Sequence, residues 1–193
     1  MSFDQILKNV SRHIRLTPEE EILFTSLLHT RHIACRDFLL RPGEVCRWEN
    51  FIDRGCMRTY IIDEKGMEHI VSFSVEGWWV GDMYSFHAQA PATLYIEAME
   101  DTIVQQIDKT AMERLYREVP VFERFFRILL QNAFVAHQNR ILQNLSFTAE
   151  ERYRQFMDHY PGLDQRVPQK MIASYLGITP QFLSALRKKM AGK

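Results

Sequence analysis

Residues 169–189, QKMIASYLGITPQFLSALRKK, constrain the fold more than any other stretch. Ile172, Ala173 and Leu176 fall on one apolar face at helical spacing. Gly177 follows at once, where a helix end needs a residue that tolerates φ > 0. Ile178 plugs the turn, Thr179 offers a capping hydroxyl, and Pro180 suits a first helical position. Leu183 and Leu186 then face back toward Ile172 and Leu176, with small Ala173 where the helices must cross. The pattern predicts two helices joined by a tight turn, the helix-turn-helix geometry whose second helix enters a major groove. Its outward residues Gln181, Ser184, Arg187 and Lys188 are the polar types that base edges and phosphates require. The competing reading is a plain helical hairpin inside a core.

Charge placement agrees with a local nucleic-acid footprint. The chain of 193 residues balances 24 Lys+Arg against 24 Asp+Glu, so it is no polycation overall. From Ser146 onward, however, 8 basic residues face 4 acidic ones, and the preceding part holds 16 against 20. The length allows one large domain or two small ones, and 46% apolar residues are ample for a core. Cys35, Cys46 and Cys56 are odd in number and form no CxxC. With no signal peptide and no apolar run of membrane length, the expectation is a cytoplasmic chain with reduced thiols, no membrane partner and no metal.

The rest of the chain reads as helices, then strands, then helices. An amphipathic helix is expected over 2–14, with Phe3, Ile6, Leu7 and Val10 on one side. Thr17 and Glu20 make a capping box for a second helix that buries Leu23, Phe24, Leu27 and Leu28. Short β-type runs follow at 38–40, 51–53, 57–62, 69–73, 94–98 and 102–107, separated by turn residues such as Glu64-Lys65-Gly66. Such spacing suggests a small antiparallel barrel or jelly roll. A helix over 109–118 precedes a long one that opens at Pro120 and contains no Gly or Pro from 121 to 145. Two apolar stripes run along it: Phe122, Phe126, Leu129, Ala133 and Ala136, and Phe125, Ile128, Val135 and Leu142. The first is assigned to a second copy of the chain and the other to its own barrel; a helix buried in a monomer is the alternative. Thr148 and Glu151 cap a further helix, which Pro161-Gly162 ends, and residues 159–168 leave room only for a stub of a wing.

This order of elements resembles the Crp/Fnr family of bacterial transcription regulators. Its carriers are Arg41-Pro42-Gly43-Glu44, the strand pair around Asp63-Glu64-Lys65-Gly66, Gly81-Asp82, Pro120 and residues 169–189. The resemblance covers essentially the whole chain. It implies an α+β fold: an N-terminal antiparallel jelly roll of the cyclic-nucleotide-binding kind (residues 1–119), a long dimerisation helix (120–146) and a C-terminal winged-helix-like helix-turn-helix (147–193). Such proteins dimerise and read near-palindromic operators. The implied partners are a double-stranded DNA operator, a second copy, a small-molecule effector and RNA polymerase. The candidate DNA contacts are Gln169, Lys170, Thr179, Gln181, Ser184, Arg187 and Lys188, although Ala185 stands where relatives commonly carry an Arg.

The effector segment departs from the family pattern. By resemblance it comprises Gly81, Asp82, Met83, Ala92, Thr93, His137 and Gln138. Asp82 replaces the Glu that holds the ribose, and Ala92 replaces the Arg that neutralises a cyclic phosphate. His137 and Gln138 fall where cAMP receptors present a hydroxyl pair. A buried phosphodiester needs a cation or several N–H donors, so cAMP is not the expected effector. Trp78, Trp79, Tyr84, Phe86 and Tyr95 suggest a planar or apolar ligand, or a filled core. His87 stands alone as a haem-ligand candidate, and the cysteines do not fit an iron–sulfur cluster. Two rivals remain: a ligand-binding module with a degenerate DNA-binding end, and a cupin-like metalloenzyme. The second lacks any HxH pair and any nucleophile–base arrangement, so no enzyme activity is expected.

Overall fold

The computed structural model describes residues 2–191. Met1, Gly192 and Lys193, at the ends of the expected first and last domains, lie outside the described residues. Two helices, Asp4–Ser11 (α1) and Pro18–Ser26 (α2), open the chain. The first is shorter than expected but buries Ile6 and Val10 as its periodicity predicts. The capping box of α2 is complete: Thr17 Oγ1 accepts from Glu20 N–H, and the Glu20 carboxylate accepts from Thr17 N–H at 2.7 Å.

Eight strands follow: His29–Ile33 (β1), Phe38–Leu40 (β2), Trp48–Arg54 (β3), Met57–Ile62 (β4), Glu68–Ser74 (β5), Trp79–Val80 (β6), Tyr95–Ala98 (β7) and Thr102–Asp108 (β8). A short helix, Met83–Ala88 (α3), interrupts them. They form two four-stranded sheets, in the orders β1-β8-β3-β6 and β2-β7-β4-β5, with all recorded pairings antiparallel. This is the expected jelly roll. Gly55 makes one of its corners, with φ +108 and so little room that an added Cβ would lie 2.8 Å from the Thr102 backbone.

Lys109–Glu118 (α4) leads to the long helix Val121–Ser146 (α5), then Ala149–His159 (α6), Gln169–Leu176 (α7) and Pro180–Ala191 (α8). A 3-10 turn, Leu163–Gln165, occupies the segment between α6 and α7.

The chain divides into two compact units: Met1–Tyr60 with Phe73–Asn132, and Ile61–Ser72 with Ala133–Lys193. In the first, residues from both sheets meet α1, α2, α4 and the start of α5 in one core that includes Phe24, Phe51, Ile96, Ile107, Phe122 and Phe125. Phe24 and Phe122 lie 4.6 Å apart between ring centres, and Trp79 stands edge-on to Phe126 at 5.3 Å. In the second, Phe156, Tyr160 and Tyr175 cluster within 6 Å of one another beside buried Ile172, Leu176, Leu183 and Leu186. The Asp63–Gly66 turn also belongs to it, and Asp63 Oδ1 there accepts from Lys65 N–H and Met67 N–H.

Both expected stripes of α5 need correction. Phe122 was placed on the stripe facing a second copy, but it is fully buried in its own core, as is Phe125. Phe126 and Leu129 are partly buried against the same core. The first two turns of α5, with Phe122, Phe125, Phe126 and Leu129, therefore serve the fold of one chain, because residues of α2 and α4 and the segment after α1 pack on them. Ala133 and Ala136 are exposed, as are Val135 and Leu142 of the stripe expected on the barrel, and so are Leu130, Phe134 (70%), Ile141 and Leu145 (79%).

Candidate nucleic-acid interface and effector region

The helix-turn-helix forms as its residues dictate. Gly177 adopts the left-handed conformation at φ 66 and ψ 35, and Ile178 N–H returns to Ala173 C=O at 3.0 Å, closing the end of α7. Thr179 then caps α8: its hydroxyl accepts from Phe182 N–H at 3.2 Å, and its carbonyl accepts from Leu183 N–H at 3.0 Å. Burial of Ile172, Ala173, Leu176, Leu183 and Leu186 fixes the rotation of both helices. What is left outside is Gln169 and Lys170 on α7, and Gln181, Phe182, Ser184, Ala185 and Lys188 on α8.

The three cations of α8 differ. Arg187 is half-buried and pairs with Asp164 at 3.4 Å; Lys189 pairs with Glu150 at 3.0 Å. Among the described residues Lys188 alone of the three carries no ion pair. Arg187 is among the expected DNA contacts; here its guanidinium pairs with a largely buried carboxylate, which helps to hold α8 on the segment before α7.

Two contacts in this unit had no sequence signal. Ser174 Oγ donates to Glu68 C=O at 2.9 Å and accepts from Ile70 N–H at 3.2 Å. Arg140 donates to Ile70 C=O at 3.0 Å and to Tyr175 C=O at 3.3 Å, with its guanidinium 3.9 Å from the Tyr175 ring centre. Both depend on a hairpin more than sixty residues upstream, which helical periodicity does not reveal.

The effector segment is engaged with itself. Asp82, 5% exposed, uses its carboxylate as the N-cap of α3 by accepting from Ser85 N–H at 3.0 Å. Ser85 Oγ donates to Ala90 C=O at 2.6 Å and accepts from Cys46 N–H at 2.8 Å. Ala92 is 3% exposed, and its backbone exchanges hydrogen bonds with Gly43 and Glu44. Met83 and Thr93 are exposed. His137 and Gln138, expected in the same pocket, lie on the exposed part of α5 that belongs to the second unit.

Facing Gly81 is Glu49, whose carboxyl has no hydrogen-bond partner among the described residues; burial pushes it up to about 7. Burial likewise raises the Cys46 thiol. The residues that hold this segment are thus acids, a thiol and a hydroxyl. They do not fit a cyclic phosphate, which needs a cation or free N–H donors. The aromatic side chains divide between exposed Tyr84, half-buried Trp78, Trp79 and Tyr95, and Phe86 in the core. The cation nearest in kind, Arg58, is buried on Glu97, with Nη2 2.7 Å from Oε2. Among the described residues no three His, Cys, Asp or Glu converge as a metal would need. No helix among them is long and apolar enough to cross a membrane.

The fold is a jelly roll followed by a long helix and a helix-turn-helix. Residues 30–119 match the cyclic nucleotide-binding domain family. The chain is 28% identical over 159 residues to the anaerobic regulatory protein of Pasteurella multocida, covering 77% of this chain and 58% of that protein. It is 26% identical over 162 residues to the fumarate and nitrate reduction regulatory protein of Vibrio cholerae, covering 77% and 63%. It thus spans about three fifths of the length of these relatives. The structure of FixK2 from Bradyrhizobium japonicum superposes with a TM-score of 0.74 at 16% identity, over 86% of this chain and 85% of that one. In sequence and fold the chain thus resembles regulators of the Crp/Fnr family.

Proposed function

We propose that this chain is a DNA-binding transcription regulator that acts as a dimer, reads an operator with α8 and responds to something other than cAMP. The observation that carries the reading is the outward face of α8, where Gln181, Ser184 and Lys188 stand exposed at helical spacing on a rigidly capped helix. The names of the relatives support it: those cited are regulatory proteins. Gln181, in the first turn, matches the amide that pairs with adenine; Lys188 suits a phosphate.

The exposed apolar strip Leu130, Phe134, Ile141 and Leu145 favours a second copy of the same helix as its cover. A two-fold pair would place two copies of α8 one DNA turn apart, roughly 34 Å. The test is selection from random duplex DNA with the full chain, followed by titrations at several salt concentrations. Gln181→Ala should change preference at one base pair per half-site by about 1–3 kcal/mol. Lys188→Ala should weaken all duplexes alike and flatten the salt slope by about one. Phe134→Glu with Ile141→Glu should give monomers by light scattering. Absence of any enriched, salt-dependent duplex sinks the reading and leaves a ligand-binding module in its place.

A further inference from the structure

Phe182 and Ala185 differ from the other outward residues of α8. The Phe182 ring is 53% exposed and stacks on no other ring among the described residues. Its position follows from helix phase, because Leu183 and Leu186 take the inward positions and are buried. The backbone beneath it is fixed: Phe182 N–H is held by the Thr179 hydroxyl at 3.2 Å, in the first helical turn. Ala185 is exposed one turn further on, so the two form a short apolar strip beside Gln181, Ser184 and Lys188.

A single exposed phenyl ring is ordinary on a protein surface. This one lies within a polar, cationic face whose fitting partner is a polyanion. The apolar feature that a major groove offers is the C5-methyl group of thymine, and Ala and Phe are among the side chains that meet it. Resting on the DNA-binding reading above, we propose that Phe182, together with Ala185, is a specificity-determining residue that packs on thymine methyl groups. The favoured half-site then carries thymine beside the base pair that Gln181 reads.

The experiment uses the full chain and the duplex that it selects. Each thymine is replaced in turn by deoxyuridine, which removes the methyl group and leaves every hydrogen-bonding edge intact. One or two positions per half-site should lose about fourfold in affinity, the worth of one methyl-sized group removed from water. In Phe182→Ala the same replacement should cost clearly less, and Phe182→Leu should retain more of the sensitivity. Gln181→Ala should keep the methyl effect, since it acts on another edge. Phe182 is exposed, so an unchanged melting temperature identifies a folded variant. Indifference to every thymine-to-uracil replacement overturns the proposal, and so does undiminished sensitivity in Phe182→Ala; either leaves DNA binding standing. Failure to enrich any duplex removes both.

Discussion

Asp82 and Gln181 both stand at the start of a helix, and they show how differently the two units use polar side chains. Asp82 is buried, and its carboxylate is engaged by the first turn of α3. Gln181 is exposed and unengaged among the described residues, because Thr179 caps α8 in its place. The same contrast runs through each unit. In the first, Ser85, Cys46, Arg58 and Glu97 hydrogen-bond inward. In the second, Arg140, Ser174 and Arg187 also bond inward, but Gln169, Lys170, Ser184 and Lys188 remain outside. A segment closed by its own hydrogen bonds offers a ligand little, whereas a capped helix with free donors and acceptors is ready for one.

The largest effect tests how far α5 belongs to the first core. Phe122→Ala should destabilise the protein by about 3–5 kcal/mol in urea unfolding, the usual cost of a cavity left by a buried Phe. A seam residue facing only a second copy would show a loss that shrinks on dilution. Phe122 should show one independent of protein concentration, because Phe24 and Phe125 are its neighbours within the chain.

Glu49 should give the first unit a pH signature of its own. Its carboxyl is raised from 4.5 to about 7 by burial. Between those values the folded chain holds a proton that the unfolded chain has lost, so this group makes stability fall as pH rises through the window and level off above it. Glu49→Gln should flatten that slope and leave the variant more stable above the window by on the order of 3 kcal/mol. Urea midpoints measured from about pH 5 to about pH 8 decide it; parallel curves for the two proteins would show that Glu49 is hydrated.

These two residues also mark where sequence reasoning reached and where it stopped. The capping boxes at Thr17 and Thr148, the strands β2 and β4, and the whole helix-turn-helix are written in local spacing. Strand β1 is not: His29-Thr30-Arg31-His32-Ile33 buries only Ile33, so no alternation announces it. Strand β6 has two residues, too few for any period. The double stripe of α5 was legible, but which stripe meets what depends on α1, α2 and α4, which lie far away in sequence. The burial of Glu49 is equally non-local, since it depends on Gly81 lying opposite β3.

Arg140→Ala should sharpen the account of the second unit. The guanidinium joins Ile70 C=O to Tyr175 C=O and covers the Tyr175 ring. Loss of charged hydrogen bonds and ring contact should cost about 2 kcal/mol. Amide exchange should speed up on α7, whereas the amides of β3 and β8 should keep their protection. Uniform loosening throughout the chain would instead mean that the two units unfold as one.

The smallest effect separates two uses of glycine. At Gly177 an added Cβ would meet nothing within 4 Å, yet φ is +66. Any cost of Gly177→Ala must then come from the backbone, and about 1 kcal/mol is expected for Ala held in the left-handed region. Gly177→Asn should cost less, because Asn tolerates that conformation. At Gly81 the space is limiting: an added Cβ would lie 3.3 Å from Glu49 Oε2 and 3.8 Å from Trp48 C=O. Gly81→Ala should therefore cost more above the pH window of Glu49 than below it, since the added methyl group hinders hydration of the ionised carboxylate. Gly177→Ala should cost the same at every pH. Thermal melts of both variants at the two ends of the window make the comparison, and a pH-independent loss at Gly81 would show that its neighbour stays neutral or finds water by another route.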